Sequence, residues 1–286
     1  MEIDNNITSL RKISIRPAKG FWAFGFHEMW DFRELLFFLT WRDVKVRYKQ
    51  TAIGVVWVVL QPLAMMVVFT LFFGKLAKIP SDGIPYPIFA FAGLLPWQLF
   101  SRTISETTNS LVTDQRLITR VYFPRILVPM AASLAALVDF TISMVFLFAL
   151  MLFWGVIPTA SLLWLPLFIL LMIITALGIG FWLSALNVEY RDVMYTIPFL
   201  NQFLMFLTPV VYPSSMVPEK WRVIYGLNPM AGVVEGFRWA LFGAGNGPSA
   251  MLAVSITISL LMFFGGMLWF RKRERSFADS LGSGGY

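Results

Sequence analysis

The sequence predicts an all-α integral membrane fold: six transmembrane helices, an N-terminal amphipathic interfacial helix ahead of them, and short re-entrant helices before the last span. Three observations predict it. Of 286 residues, 58% are hydrophobic and 14% charged, and the mean hydropathy is +0.70, far from the roughly half apolar, quarter charged mixture of soluble domains. Six apolar stretches approach the about 20 helical residues that a hydrocarbon core about 30 Å thick requires. Lys and Arg concentrate in alternate connections between those stretches, as they do when one side of a membrane is the cytoplasm.

Taken in order, residues 1–29 form a cytoplasmic N-terminal segment. The first 20 residues contain no long apolar region followed by a small-residue cleavage site, so no removable signal is expected. The single histidine, His27, lies here. A lone imidazole without carboxylate partners builds no metal site, and it reads as a surface or interfacial side chain. There is no cysteine, which excludes disulfides, thiolate metal sites and a cysteine nucleophile.

Residues 30–50, WDFRELLFFLTWRDVKVRYKQ, are too charged to span but are patterned as a helix. Phe37, Trp41, Val44 and Tyr48 recur at spacings of four, three and four, while Arg42, Lys45 and Lys49 line another face. Such a helix lies flat at the interface, aromatic face in lipid and basic face toward headgroups or a partner. It serves as a plain anchor, a docking element, or both.

The transmembrane domain covers residues 51–270, with spans at about 52–73, 85–101, 126–154, 162–186, 195–211 and 250–270. The first is uncharged, with a Gln61-Pro62 pair expected to kink it. The second is expected to continue past the bilayer as a helix, and the third is interrupted only by Asp139. Between the fifth and sixth, WRVIYGLNPMAGVVEGFRWALFG alternates short apolar stretches with Gly, Pro and single charges. Runs of 10 to 14 apolar residues suit re-entrant segments better than spans. A hairpin dipping into the outer leaflet is preferred over an ordinary external loop. Residues 271–286 give a basic stop and a Gly/Ser-rich tail.

With this topology 18 of the 23 Lys and Arg fall on one side, together with both termini. That side is the cytoplasm. The net charge of +7 is thereby explained by orientation and anionic lipid headgroups, without nucleic acid.

No GxxxxGK[ST], HExxH or GxSxG stretch occurs. The carboxylates are scattered, apart from Glu189 and Asp192, which flank Arg191 in NVEYRDV and suit a local ion-pair cluster better than acid-base catalysis. Asp139 is costly in a span unless it faces protein or water. It reads as a residue paired within the protein or, alternatively, as a proton-coupling residue, although a secondary transporter would show several such residues.

Aromatic residues form the strongest pattern. Tyr195, Phe199, Phe203 and Phe206 make one stripe of the fifth span, beside Asn201 and Gln202. The second span offers Tyr86, Phe89, Phe91, Trp97 and Phe100, and the first offers Trp57, Phe69, Phe72 and Phe73 with Gln61. Lipid-facing or interhelical packing is one explanation. The other is a path of flat rings on which the C–H faces of sugars can stack and slide.

Several ordered stretches resemble a known family, the ABC-2 type permease subunits of ATP-driven polysaccharide exporters for O-antigen, capsule and teichoic acid. They are FRELLFFLTWRDVKVRYKQTAIGVVWVVLQP (Phe32 to Pro62), FAGLLPWQLFS (Phe91 to Ser101), VYFPRILVP (Val121 to Pro129), LNVEYRDV (Leu186 to Val193), LTPVVYP (Leu207 to Pro213) and LNPMAGVVEGFRWALFG (Leu227 to Gly243).

The resemblance implies a bacterial inner-membrane transport subunit rather than an enzyme, working as a homodimer with two copies of a separate ATPase. The ATP and Mg then belong to the partner, and this chain holds no cofactor. The expected cargo is a lipid-linked polysaccharide, most simply of O-antigen type.

It implies a glycan channel along Trp57, Gln61, Phe69, Phe72, Tyr86, Phe91, Trp97, Phe100, Tyr195, Phe199, Gln202, Phe203 and Phe206. It implies ATPase coupling or diphosphate capture by Arg42, Lys45, Arg47, Lys49, Asp114, Arg116, Arg120, Arg125, Glu189, Arg191 and Asp192. An outer gate is expected at Trp221, Tyr225, Asn228, Pro229, Glu235, Arg238 and Trp239. Two rivals remain: a membrane enzyme that polymerises or transfers polyprenyl-linked sugars, and an ABC-2 exporter of drugs or lipids.

Overall fold

The computed structural model describes residues 30–49, 54–243, 247 and 249–277. The N-terminal segment with His27, the junction at 50–53 and the tail from 278 lie outside the described residues.

The elements are helical throughout the described residues. Helix α1 spans Arg33–Lys49 and α2 Gly54–Phe69, the latter continuing as a π-helical segment Thr70–Leu76. Helix α3 runs Tyr86–Thr113, the short α4 Gln115–Arg120, and α5 Leu127–Phe153. A 3-10 turn, Ala160–Trp164, leads into α6, Leu165–Glu189, followed by α7, Val193–Phe206. Two short helices, α8 (Glu219–Tyr225) and α9 (Pro229–Phe242), precede α10, Ala250–Arg273, and a 3-10 turn ends at Ser276.

Four of these segments are long and apolar enough to cross a membrane: Gly54–Leu76, Leu127–Phe153, Ala160–Glu189 and Ala250–Arg273. The two other expected spans differ from them for separate physical reasons. Helix α3 is ample in length but gains polar residues from Ser101 onward, because it does continue as one helix well beyond residue 101. Helix α7 is apolar but stops at Phe206, and 14 residues reach only about 21 Å.

Helix α3 is the hub, packing most extensively on α5 and α6 and also touching α2, α7 and α9. It is buried on nearly all sides from Ile88 to Phe100. Two apolar clusters result. The larger joins α2, α3, α5, α6, α7 and α9. The smaller, built on Leu111, Ile118, Phe123, Leu127, Phe181, Phe270 and Phe277, sits where α1, α4 and the end of α10 gather.

Helices α6 and α10 approach closely because Gly178 removes a side chain: a Cβ there would sit 2.6 Å from the Phe263 amide nitrogen. Without a hydrophobic drive between helices in lipid, such small-residue contacts are what hold them together.

The connection between α7 and α10 contains the two short helices α8 and α9. The Asn228-Pro229 pair starts α9 in the expected way. Asn228 Oδ1 caps the Met230 amide at 3.1 Å, and Pro229 sits where its missing N–H costs nothing. Gly243, at φ 63°, ends the helix in the left-handed conformation. Helix α9 is mostly apolar and buried even at Glu235 and Arg238, turned back into the body against α10, α6 and α3.

Candidate functional site

A cavity of about 410 Å³ lies among α2, α3, α5 and α7. Its wall mixes apolar side chains with Gln61 of α2, Gln98 and Arg102 of α3, and Asp139 and Ser143 of α5, and Met205 reaches it from α7. Pro62 cannot donate to the carbonyl of Val58, and Val58 is one of the lining residues, so the proline of α2 frees a backbone acceptor at the cavity.

At the charged end of the cavity the cluster around Asp139 closes. Its carboxylate, with only 5% of the side chain exposed, takes Arg47 of α1 at 2.8 Å and Arg102 of α3 at 2.5 Å. Tyr48 of α1 donates its hydroxyl to the other carboxylate oxygen. Burial, and then this hydrogen bond, push the Tyr48 phenol above its ordinary value, so it remains a neutral donor. Glu106 completes the cluster, accepting from Arg47 at 2.5 Å and from Arg102, one helical turn earlier on α3, at 2.9 Å. Two carboxylates thus face two guanidiniums, which satisfies the requirement that charge within a bundle be paired. Asp139 is paired within the protein, and Tyr48, placed by its spacing among the lipid-facing aromatics, turns inward instead.

A second polar joint holds the middle of α1. Arg42 bonds Asp43 through Nε at 2.9 Å and Asp114, at the elbow between α3 and α4, at 2.6 Å. Burial opposes its charge, but the hydrogen bonds to Asp114 and Asp43 outweigh it and hold the guanidinium above its ordinary value.

The charged residues expected at the coupling face divide into two groups. Arg42, Arg47, Asp114, Arg125 and Glu189 are engaged internally: Arg125 grips the backbone and carboxylate of Glu274, and Glu189 pairs with Arg273. Lys45, Lys49, Arg116, Arg120, Arg191 and Asp192 are exposed and form no ion pair among the described residues. Asn187 fixes the turn from α6 to α7 that carries Arg191, donating to the Thr108 carbonyl at 3.0 Å and accepting from the Met194 amide at 3.2 Å.

The aromatic set also divides. Trp57, Phe72, Tyr195, Phe199, Phe203 and Phe206 are exposed, and so are Gln61 and Gln202. Phe199 and Phe203 are stacked, with ring planes 13° apart and centroids 6.4 Å apart. By contrast Phe69, Phe91, Trp97 and Phe100 are buried in the larger cluster, and Tyr86 is half-buried with its hydroxyl on the Val211 carbonyl at 2.7 Å.

At the far end, the irregular backbone after α7 is held by side chains from α3 and α9. Arg238, 3% exposed, lies 3.7 Å above the Phe89 ring and donates to the Pro209 carbonyl at 2.6 Å and to that of Val210. Asn228 Nδ2 donates to the Leu207 carbonyl at 2.9 Å and to Thr208 Oγ1 at 3.0 Å. Glu235 is buried beside Arg238 on α9. Trp221, Tyr225 and Asn228 line a small apolar pocket with Leu207, and Tyr225 shares a hydroxyl–hydroxyl bond of 2.9 Å with Tyr212. Trp239 is half-buried, its carbonyl accepting from Ser161.

The match to known families spans the helices just described. The profile of the ABC-2 type transporter family aligns with residues 34–242. The chain belongs to the ABC-2 type transporter family.

Among its relatives is the O-antigen export system permease protein RfbA of Myxococcus xanthus, 28% identical over 258 residues covering 89% of this chain and 98% of the relative. The protein of the same description from Klebsiella pneumoniae is 28% identical over 253 residues, covering 87% and 95%. The polysialic acid transport protein KpsM of Escherichia coli is 23% identical over 242 residues, covering 84% and 93%. The ABC-2 region thus takes in α1 to α9, including every member of the Asp139 cluster and Arg238.

Within this ABC-2 chain the sequence pointed to Asp139 and Arg47 separately but not to their meeting, and it did not single out Arg102 and Glu106 as a site. The available signal was their spacing of four on a helix that continues past residue 101.

Proposed function

We propose that the chain is the membrane-spanning permease subunit of an ATP-driven exporter that moves lipid-linked polysaccharide, of O-antigen type, from the cytoplasmic side across a bacterial inner membrane. The observation that carries this is near-complete coverage of proteins described as O-antigen export permeases, 98% of the length of the Myxococcus xanthus relative. The exposed rings of α2 and α7, with Gln61 and Gln202 beside them, support a path along which sugar faces slide.

In this function the chain crosses the membrane six times. The first half of α3, and α7 with the irregular segment to Val211, supply the two crossings beyond the four apolar spans. Both termini lie in the cytoplasm, and α1 rests at the inner interface. Two copies form the pathway and two ATPase subunits, which hold the ATP and Mg, dock on the exposed basic face around Arg116, Arg120 and Arg191. Nucleotide favours one conformation only through its differential affinity for the two, so ATP binding on the partner drives the shift of α1 and its neighbours. Helices α8 and α9 form the outer gate.

The test is co-purification with the partner ATPase followed by native mass spectrometry. A complex of two permeases and two ATPases with bound lipid-linked glycan is the expected result. A purified chain that elongates a lipid-linked sugar without an ATPase would establish the polymerase instead. Bound phospholipid or drug with no glycan would point to the other type of ABC-2 exporter.

A further inference from the structure

The first turns of α1 pack Leu35 and Leu36 on the smaller apolar cluster, but its C-terminal turns are attached mainly by polar bonds. Among its described residues only Leu39 is buried, while Phe37, Phe38, Trp41 and Val46 are exposed. What fixes the C-terminal turns is the Asp139 cluster: Arg47 bridges to α5 and α3, and Tyr48 to α5. The same cluster forms part of the cavity wall, because Arg102 and Asp139 both line that space with Gln61 and Gln98. Arg102, 38% exposed, therefore has one side on Asp139 and Glu106 and another toward the cavity.

A helix held by burial moves only at the cost of opening a core. One held by a few directional ion pairs can swing when those pairs exchange partners, with the bundle left intact.

We propose that Asp139 is a positioning residue that links α1 to the cavity wall, a latch whose two guanidiniums pass movement of the N-terminal helix to Arg102. When α1 shifts, Arg47 leaves Asp139, and Arg102 becomes its principal partner and is drawn away from the cavity. When α1 returns, Arg47 takes back its share and Arg102 relaxes toward the cavity and Glu106. The exchange rests on competition of two cations for one buried carboxylate. This role rests on the proposed export function for its driving force, but its geometry does not.

The absence of cysteine from the chain makes the test clean. Spin labels at Lys45→Cys on α1 and Thr141→Cys on α5, both exposed positions, report the distance between the helices by pulsed EPR in the assembled complex with its ATPase. Asp139→Asn, Arg47→Gln and the double variant are compared for this distance, for ATP hydrolysis and for glycan exported per ATP.

Each single variant is expected to assemble, broaden the distance distribution, keep ATP hydrolysis, and lower export per ATP by roughly 3- to 30-fold. The double variant is expected to be no worse than either single one, because both remove the same link. Asp139→Glu should recover part of the loss. Wild-type distance and export in Asp139→Asn, or losses that simply add in the double variant, would overturn the latch. If Asp139→Asn fails to assemble, Arg47→Gln decides by the same readings. A wild-type complex that exports no glycan would refute the export function, while the distance measurement would still decide on the latch.

Discussion

Arg238 shows how much one buried side chain does. Fourteen residues of α7 end short of a full crossing, and the backbone that follows would expose carbonyls to an apolar surround, where each unsatisfied group costs several kcal/mol. Arg238 answers with a planar fork aimed at the carbonyls of Pro209 and Val210 while its face rests on Phe89. Gly93 makes room for it, since a Cβ there would run into the guanidinium and stand 2.5 Å from the Val210 carbonyl oxygen.

Arg238→Met keeps the volume but strands the acceptors, so we expect a loss of about 3 kcal/mol and a lower thermal midpoint in detergent. Arg238→Lys should restore only part, because an ammonium offers no flat face or paired donors. In the sequence Arg238 stands in a loop of mixed composition, where the resemblance implied an outer gate. Its burial was not legible, because whether a short apolar helix lies on a surface or within the body depends on partners distant in the chain.

Among elements, α7 and α3 make an instructive contrast. The spacing of Tyr195, Phe199, Phe203 and Phe206 places them on one stripe, and all four are exposed. The rings of α3 other than Phe91 also keep to one side of their helix, yet that helix is surrounded, so every direction is an inside. Sequence alone could not separate the two groups, since both are simply aromatic residues in apolar helices.

Their substitutions should differ in kind. Trp57→Ala or Phe199→Ala should impair glycan export with the complex assembled and its thermal midpoint nearly unchanged. Phe91→Ala or Phe100→Ala should instead cost about 3–5 kcal/mol of stability through the cavity left behind, seen as poor recovery of folded protein. Unchanged export in both exposed-ring variants would remove the sliding surface from the mechanism. For α1, the heptad-like spacing located the helix, but it misassigned Tyr48 because hydrophobic periodicity cannot foresee a carboxylate arriving from α5.

For the whole molecule, the basic residues have two destinations. Some lock the fold, as Arg42, Arg47 and Arg125 do, and others stay exposed at the end where α1, α4 and the terminus of α10 meet. Reversing the charge of Arg116 and Arg120 together should leave the chain folded but uncouple ATP hydrolysis from export, read as a fall in glycan moved per ATP. Normal export and a normal complex would assign that surface to lipid contact alone. The helical class and the order of segments were legible in composition and apolar run length. The division into four long apolar spans, one polar-ended hub and one short helix was not, because it depends on where α3 is sheltered by neighbours rather than by lipid.

The π-helical segment Thr70–Leu76, closed by a bond from the Ala77 amide to the Phe72 carbonyl at 2.8 Å, gives α2 a reserve of chain length. Each π turn holds about one residue more than an α turn needs. Deleting Leu71 should therefore let the segment rewind as α-helix with little change at either end, and the variant should retain most of its thermal stability. A deletion near Val59 has no slack to draw on. It would rotate the half of α2 before it by about 100° relative to the half beyond it, turning the exposed Trp57 to another side of the helix. Shortening by a single residue is thus tolerable at one end of this helix and ruinous near its middle.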